Sequence, residues 1–233
     1  MKKHNFSAGP CILAPEVIMG ASEAVNDFNG MGLSLLEISH RDKNFVDVMD
    51  EARSLSKEIM GLDDDFEILF LQGGASLQFC MAPYNFMHSD GKAGYLVTGT
   101  WAKKAAAEAA IFGDIVEIGS SADKKFSYIP KNINISDNLN YIHFTSNNTI
   151  VGTQMKDIPK TKIPLICDMS SDIFSKKINF NQFSLIYAGA QKNLGPAGAT
   201  LIAVRKSALG KTSRLIPSIL DYRKHINSCL LYT

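Results

Sequence analysis

The feature that most constrains the fold of this chain is a series of seven short apolar segments with high β propensity. They are residues 67–71, 94–97, 115–118, 141–144, 165–167, 185–188 and 200–204. Several of these segments are almost continuously apolar and do not alternate with polar residues. Continuous apolar strands are expected where both faces of a mostly parallel sheet are covered. The sequence therefore predicts one large, mostly parallel, seven-stranded sheet.

Helical periodicity lies before and between these segments. Apolar residues recur at helical spacing over residues 15–28, 44–60, 77–86 and 101–111. Strands that alternate with helices are typical of an α/β fold with helices on both faces of the sheet. The polar segment 119–140 lacks a helical period, so we expect irregular structure there. In such folds ligands bind at the carboxyl ends of the strands.

The composition indicates an ordinary globular domain. The chain has 233 residues, of which 45% are hydrophobic, and a formal net charge of +1; this suits one sizeable α/β domain. Basic residues form only short pairs, so we expect no nucleic-acid partner. The N-terminus lacks the apolar core of a secretory signal, and no later segment reaches membrane-spanning length. We therefore expect a cytoplasmic protein without a membrane partner.

Cysteines and histidines lack the spacing of disulfide frameworks and metal sites. The four cysteines, Cys11, Cys80, Cys167 and Cys229, are widely separated, so reduced thiols in the core are expected. The five histidines form no HxxxH pair. We therefore predict that the protein binds no metal ion.

One lysine lies in a setting that a solvated lysine does not need. Lys192 belongs to the small, glycine-rich segment 188–198, which follows the apolar run 184–187. A lysine that reacts with a carbonyl group must be held in place and partly desolvated before its amine acts as a nucleophile. Taken alone, the pattern also fits an ordinary loop lysine, so its interpretation depends on the other strand ends.

Three other strand ends carry groups of complementary chemistry. Residues 72–76 open a helix, where the free N–H groups of Ala75 and Ser76 favour a phosphate; a structural glycine turn is the alternative. Trp101, the only tryptophan, could stack on a planar cofactor or serve as a packing residue. Asp168 ends an apolar run, where an isolated carboxylate needs a positive partner.

Together these groups match the needs of pyridoxal 5′-phosphate. That cofactor uses a lysine at its aldehyde carbon, a carboxylate at its ring nitrogen, a stacking ring and a phosphate cradle. Lys192, Asp168, Trp101 and residues 72–76 supply these four parts. The chain has neither the GxxxxGK[ST] nor the GxGxxG pattern in this turn, which argues against ATP and dinucleotides.

The motifs of the chain resemble those of the phosphoserine aminotransferases, class-V pyridoxal-phosphate enzymes of the aspartate-aminotransferase-like fold. The resemblance extends from the N-terminus to about Lys224. It is carried by residues 5–10 (NFSAGP), 38–41 (ISHR), 72–76 (QGGAS), 99–101 (GTW), 146–150 (SNNTI), 168–171 (DMSS) and 190–198 (AQKNLGPAG). It implies the type I fold of these transferases, with an N-terminal arm (1–14) that belongs to the small domain in the family and a cofactor-binding large domain (15–233).

The resemblance also implies catalytic roles for Lys192 and Asp168 and cofactor-binding roles for these two residues, Trp101 and Thr149. Lys192 would bind the cofactor covalently and move protons. Asp168 would pair with the ring nitrogen, Trp101 would stack on the ring, and Thr149 would form a hydrogen bond with the cofactor.

Four further residues have binding roles by the same resemblance. Ala75, Ser76 and Gln191 would hold the cofactor phosphate. Arg41 would clamp the substrate carboxylate, a task that suits the two-pronged geometry of a guanidinium group. The implied activity is amino transfer from glutamate to 3-phosphohydroxypyruvate, which gives phosphoserine and 2-oxoglutarate in serine biosynthesis, by a homodimer.

Beyond Lys224 the resemblance stops. In the family, an Asn-Thr pair that reaches the neighbouring subunit's cofactor phosphate follows, and then a small C-terminal domain with a histidine and an arginine for the substrate phosphate. Residues 225–233 match neither, so the small C-terminal domain is expected to be missing. The first alternative is therefore a catalytically impaired remnant that binds the cofactor or forms dimers. A cysteine desulfurase or an alanine–glyoxylate type aminotransferase is another alternative; a desulfurase needs an exposed nucleophilic cysteine, and Cys167 lies in an apolar strand.

Overall fold

A seven-stranded sheet forms the centre of the computed structural model, which describes residues 3–228. The strands along the chain are β1 (Phe66–Leu71), β2 (Lys92–Val97), β3 (Asp114–Ser120), β4 (Tyr141–Thr145), β5 (Asn147–Asn148), β6 (Thr153–Gln154), β7 (Leu165–Asp168), β8 (Leu185–Gly189) and β9 (Thr200–Arg205). Strands β5 and β6 form a separate antiparallel hairpin. The seven predicted strands are confirmed.

The sheet is mostly parallel, as predicted. Its strand order is β1-β9-β8-β7-β4-β2-β3. Strands β3, β2, β4, β7 and β8 run parallel, whereas β9 is antiparallel to both β8 and β1. Because the parallel strands end at one edge of the sheet, the segments that follow β2, β4, β7 and β8 meet there.

Five helices surround the sheet in the described part of the chain. They are α1 (Pro15–Asn26), α2 (Lys43–Met60), α3 (Gly74–Phe86), α4 (Thr100–Ala109) and α5 (Tyr222–Ser228). Helix α2 begins after Asp42, whose carboxylate accepts a hydrogen bond from the Asn44 amide at 2.9 Å. It ends at Gly61, which adopts the left-handed conformation (φ 59°) that favours glycine at a helix end.

The four predicted helices are confirmed, while two elements were not predicted. Helix α5 is only seven residues long, too short for a clear helical period. The hairpin of β5 and β6 has two residues in each strand, so it leaves no alternating pattern. Segment 119–140 is irregular, as expected, apart from the end of β3 and a 3-10 turn at Ala122–Lys124.

Each face of the sheet carries its own apolar core. Helices α3, α4 and α5 cover one face, where aromatic residues such as Phe79, Tyr141 and Tyr187 pack together. The other face contributes Ile142, Phe144 and their neighbours to a second core. Loop segments and the end of α2 cover that second face. The two cores hold the strand ends in fixed positions.

The N-terminal region is packed far less tightly than the sheet. Helix α1 contains no buried residue, although Val17, Ile18 and Met19 are apolar and about half exposed. Among residues 3–228, no helix combines the length and apolarity that crossing a membrane requires.

Candidate active site

A cleft of about 150 Å³ lies at the carboxyl edge of the parallel strands. It is lined by Gly74, Ala75, Ser76, Phe79, Trp101, Thr145, Asn147, Asp168, Ser170, Ser171, Gln191 and Lys192. Six of the predicted site residues therefore line a single cleft, although they come from four separate parts of the chain.

Lys192 is held by a seventh predicted residue. Its Nζ donates a hydrogen bond to Thr149 Oγ1 at 2.9 Å. Thr149 follows the β5 strand in a tight turn, in which the amide of Gly152 donates to the Asn148 carbonyl at 2.8 Å. The lysine head is thus fixed by a neutral acceptor and stays partly accessible in the cleft.

Asp168 is the buried carboxylate of the cleft. Its Oδ1 accepts hydrogen bonds from the amide and the hydroxyl of Ser170, at 3.0 and 2.6 Å. Burial raises the pKa of Asp168, while the Ser170 bonds and the charge of Lys192 act in the opposite direction. A protonated ring nitrogen placed beside the free side of this carboxylate would supply the positive partner that burial demands.

The N-terminus of α3 is suited to an anion. Gly73 and Gly74 have positive φ angles of 85° and 65°, and a Cβ at Gly73 would lie 2.6 Å from the Leu77 side chain. This glycine turn therefore cannot carry side chains without strain. It leaves the first amides of the helix without partners inside the helix, and Gly74, Ala75 and Ser76 line the cleft.

Trp101 lies in the first turn of α4 and is partly buried. Its ring lines the cleft, and the Lys104 ammonium group lies 4.8 Å from the ring centroid. The position fits a ring that covers one side of a flat ligand, as the sequence suggested.

The N-terminal arm reaches the same loop as the lysine. The amide of Cys11 donates to the Gln191 carbonyl at 2.9 Å. A Cβ at Gly9 would lie 3.1 Å from Lys192 Cγ, so only a residue without a side chain fits this contact easily. The arm thus closes one side of the lysine's stem.

Arg41 is a predicted site residue that does not line the cleft. It is exposed and is absent from the cleft lining. It lies in the loop between α1 and α2, where its backbone amide donates a hydrogen bond to the Ser39 hydroxyl oxygen at 3.1 Å. Its role in substrate binding stays a prediction.

Several cleft residues were not singled out from the sequence. Ser170, Ser171 and Asn147 line the cleft, and Asn147 Nδ2 donates to Ser171 Oγ at 2.9 Å. The motifs 146–150 and 168–171 contained these residues and could have indicated them. Thr145 gave no such signal, because it is the last residue of an apolar strand.

Thr145 provides a test of what the cleft can hold. Its side chain is 4% exposed, and its hydroxyl has no hydrogen-bond partner among residues 3–228. Thr145 pairs with Asp168 across strands β4 and β7. An unpaired buried hydroxyl is costly unless a ligand satisfies it. With the helix terminus, the carboxylate and the lysine, this donor set fits a flat, phosphorylated aromatic aldehyde such as pyridoxal phosphate.

The three cysteines within residues 3–228 do not line this cleft. Cys167 is buried in β7 on the opposite face of the sheet, and burial raises the pKa of its thiol well above the usual value. Cys11 and Cys80 are only partly buried, so the expected core position holds for Cys167 but not for these two. Cys229 lies outside the described residues.

Comparisons with known proteins agree with this geometry. A profile of the class-V aminotransferases matches residues 3–218. The phosphoserine aminotransferase of Flavobacterium psychrophilum is 59% identical over 233 residues, which are all of this chain and 65% of that protein.

Solved structures show the same relation. Phosphoserine aminotransferase from Bacillus circulans subsp. alkalophilus superposes with a TM-score of 0.93 at 42% identity and covers 98% of this chain and 64% of that one. The pyridoxal-phosphate-bound phosphoserine aminotransferase from Trichomonas vaginalis gives a TM-score of 0.92 at 32% identity, over 100% of this chain and 66% of that one.

The chain spans about 65% of the length of the relatives that it matches. The family profile covers nearly the whole chain, from the N-terminal arm to the loop that precedes α5. The chain therefore belongs to the class-V aminotransferase family.

Proposed function

We propose that this chain is the cofactor-binding large domain, with the N-terminal arm, of a phosphoserine aminotransferase. The reaction would move the amino group of glutamate to 3-phosphohydroxypyruvate, with pyridoxal phosphate as cofactor. The observation that carries the proposal is the convergence of Lys192, Asp168 and the N-terminus of α3 on one cleft. The arm would comprise residues 1–14 and the domain residues 15–233.

The residues divide the binding work among them. The amides at Ala75 and Ser76 would bind the phosphate with the Gln191 side chain, because they face the cleft at a positive helix end. Asp168 would bind the ring nitrogen, and Trp101 would cover one side of the ring. When bound, pyridoxal phosphate supplies an electron-withdrawing ring that stabilises negative charge on the substrate's α-carbon.

Lys192 would act both as the attachment point and as the group that moves a proton. Its Nζ can take a proton from the substrate's α-carbon only while it is uncharged. Thr149 Oγ1, at 2.9 Å, orients the amine and adds no negative charge that would favour the protonated form. Asp168 is buried and is the only carboxylate in the cleft lining, and it would lie next to the cofactor ring.

Arg41 would bind a substrate carboxylate from outside the cleft. Its exposed guanidinium group is unpaired within residues 3–228, and a bidentate contact with a carboxylate would fix the substrate's orientation.

We also propose a cytoplasmic homodimer. The half-exposed apolar residues of α1 and the arm, such as Val17 and Ile18, support association with a second subunit. Free thiols at Cys11, Cys80 and Cys167 suit a reducing compartment.

The test follows the visible absorption of the purified chain on addition of pyridoxal phosphate, glutamate and finally 3-phosphohydroxypyruvate. We expect a cofactor band that glutamate changes and phosphohydroxypyruvate restores. A band that glutamate leaves unchanged would indicate a remnant that binds the cofactor without transferring an amino group. Release of sulfide from cysteine would instead favour a desulfurase.

A further inference from the structure

Asn148 lies between the two turns that carry Trp101 and Thr149. Its side chain is 3% exposed. Its Nδ2 donates hydrogen bonds to Thr98 Oγ1 at 3.1 Å and to Thr153 Oγ1 at 3.2 Å. One amide group thereby joins the end of β2 to the β5–β6 hairpin.

The first of these turns is built around the amide of Asn148. Gly99 is the residue that caps α4, directly before Thr100 and Trp101. A Cβ at Gly99 would lie 2.4 Å from Asn148 Oδ1. The φ of Gly99 is −175°, which any residue can adopt, so the requirement for glycine here is one of space. Asn148 occupies the place where the side chain of residue 99 would be.

The second turn holds the lysine. Asn148 directly precedes Thr149, whose hydroxyl accepts the bond from Lys192 Nζ. The Asn148 carbonyl accepts the Gly152 amide at 2.8 Å and closes the turn. A shift of Asn148 would therefore move the acceptor that orients the lysine.

The amide of Asn148 links the two threonines. Its Nδ2 group donates to both hydroxyls, and the Thr98 hydroxyl also lies 3.5 Å from Oδ1. An alkyl side chain offers none of these contacts. Thr98 is also completely buried, so its hydroxyl would lose its partner if the amide were removed.

We propose that Asn148 is a positioning residue that fixes the distance between the Trp101 ring and the Thr149–Lys192 pair. This distance would set the width of the space that the cofactor ring occupies, and in this respect the inference rests on the proposed function. Asn148 does not line the cleft; it acts through Gly99 on one side and Thr149 on the other.

The first experiment needs no cofactor. Trp101 is the only tryptophan, so its fluorescence reports on this turn alone. In Asn148→Ala we expect a red-shifted emission and about twofold stronger quenching by acrylamide. The matched control is Asn85→Ala, because Asn85 is 2% exposed and donates to the Met81 and Leu220 carbonyls away from the cleft. The control should lose thermal stability without altering the emission.

The second experiment measures the dissociation constant of pyridoxal phosphate. Asn148→Ala should raise it about tenfold, on the scale of one or two lost buried hydrogen bonds. Thr98→Val, which cuts the link to the Trp101 turn, should give part of this effect. The Asn85→Ala control should bind as the wild type does.

A pair of substitutions tests the packing directly. Gly99→Ala should weaken cofactor binding because its Cβ collides with the Asn148 amide, and adding Asn148→Ala should relieve that collision. The double variant should then bind no more weakly than Asn148→Ala alone. If the two effects add, or if Asn148→Ala keeps wild-type emission and affinity, the proposal is overturned. Wild-type protein that binds no pyridoxal phosphate would defeat the proposed function, while the emission test would still decide the inference.

Discussion

Helices α3 and α1 show how differently two regions of this molecule are built. Helix α3 has thirteen residues, of which seven are buried, and its N-terminus lines the cleft. Helix α1 has twelve residues and buries none of them. The groups that we propose for cofactor binding, Lys192, Asp168 and the N-terminus of α3, therefore line a cleft in the tightly packed region. The predicted substrate residue, Arg41, belongs to the loosely packed region.

The cleft and the N-terminal region therefore depend on different contacts. The cleft depends on strand ends that two apolar cores fix in place. The N-terminal region presents exposed apolar side chains, among them Phe6 at 93% exposure, and large exposed apolar surfaces mark places where other protein packs. Substitutions in the cleft should therefore change stability or cofactor binding in the isolated chain. Substitutions in α1 should have an effect mainly when another protein covers the N-terminal region.

The largest effect is expected at Lys192. Lys192→Ala should abolish the covalent attachment of pyridoxal phosphate, because no other lysine lines the cleft among residues 3–228. Borohydride treatment followed by peptide mass analysis measures the attachment. Lys104→Ala, next to Trp101, is the control and should keep the label. A label of equal yield in the Lys192 variant would show that the cleft is not the site.

Two methionines compare the regions directly. Met81 in α3 is 0% exposed and Met19 in α1 is 57% exposed. Met81→Ala should lower the free energy of unfolding by about 2–5 kcal/mol, the usual cost of such a core cavity. Met19→Ala should change it by less than about 0.5 kcal/mol. Denaturant unfolding of both variants measures the contrast, and equal losses would mean that α1 is packed in solution.

A buried histidine should make the stability of the fold depend on pH. His143 in β4 lies between the rings of Tyr95 and Tyr187, and its Nε2 is 2.7 Å from Tyr187 Oη. Burial lowers the pKa of His143 to about 3. Between its unfolded value near 6.5 and pH 3, only the unfolded chain takes up this proton, so stability falls as the pH falls.

His143→Gln should remove that part of the pH dependence. The slope of unfolding free energy against pH should decrease by up to about 1.4 kcal/mol per pH unit between pH 6 and 4. Unfolding curves at several pH values measure the slope. His4→Gln, in the exposed arm, is the control and should leave the wild-type slope unchanged. An unchanged slope in the His143 variant would contradict the prediction.

The smallest effect concerns the free-energy cost of burying the Asp168 carboxylate in the cleft. Burial raises the pKa of Asp168, so its ionised form destabilises the unliganded fold at neutral pH, and this cost disappears as the pH falls through the raised pKa. Asp168→Asn should therefore stabilise the unliganded protein by on the order of 1 kcal/mol. Thermal unfolding with and without pyridoxal phosphate should show a higher melting temperature but a smaller shift on cofactor addition. A lower melting temperature without cofactor would refute this account.

The sequence predicted the sheet well because its signals are local. Each predicted strand is found, since a run such as 185–188 carries its own apolar pattern. Lys192 and Asp168 could be predicted because they directly follow or end such runs. Position at a strand end is enough to bring them to one edge of a parallel sheet.

The rest depended on contacts between distant residues. Asn148 acts through Gly99, which lies far away in the sequence, and neither residue has a local pattern that indicates the contact. Helix α3 begins at Gly74, before the predicted start at residue 77, because residues 74–76 carry no large apolar side chain that would extend the helical period. The absence of Arg41 from the cleft lining could not be predicted, because no local pattern in the α1–α2 loop specifies its position.

The position of β9 has a consequence for how the chain becomes structured during synthesis. Strand β1 is the first strand made, yet its one hydrogen-bonded neighbour in the sheet is β9, the last strand of the sheet. Until Thr200–Arg205 leaves the ribosome, β1 has an apolar, unpaired edge. Such long-range pairings slow folding and expose strands that aggregate. A nascent chain that stops before β9 would keep all the residues of the cleft and still lack the strand that joins β1 to the sheet.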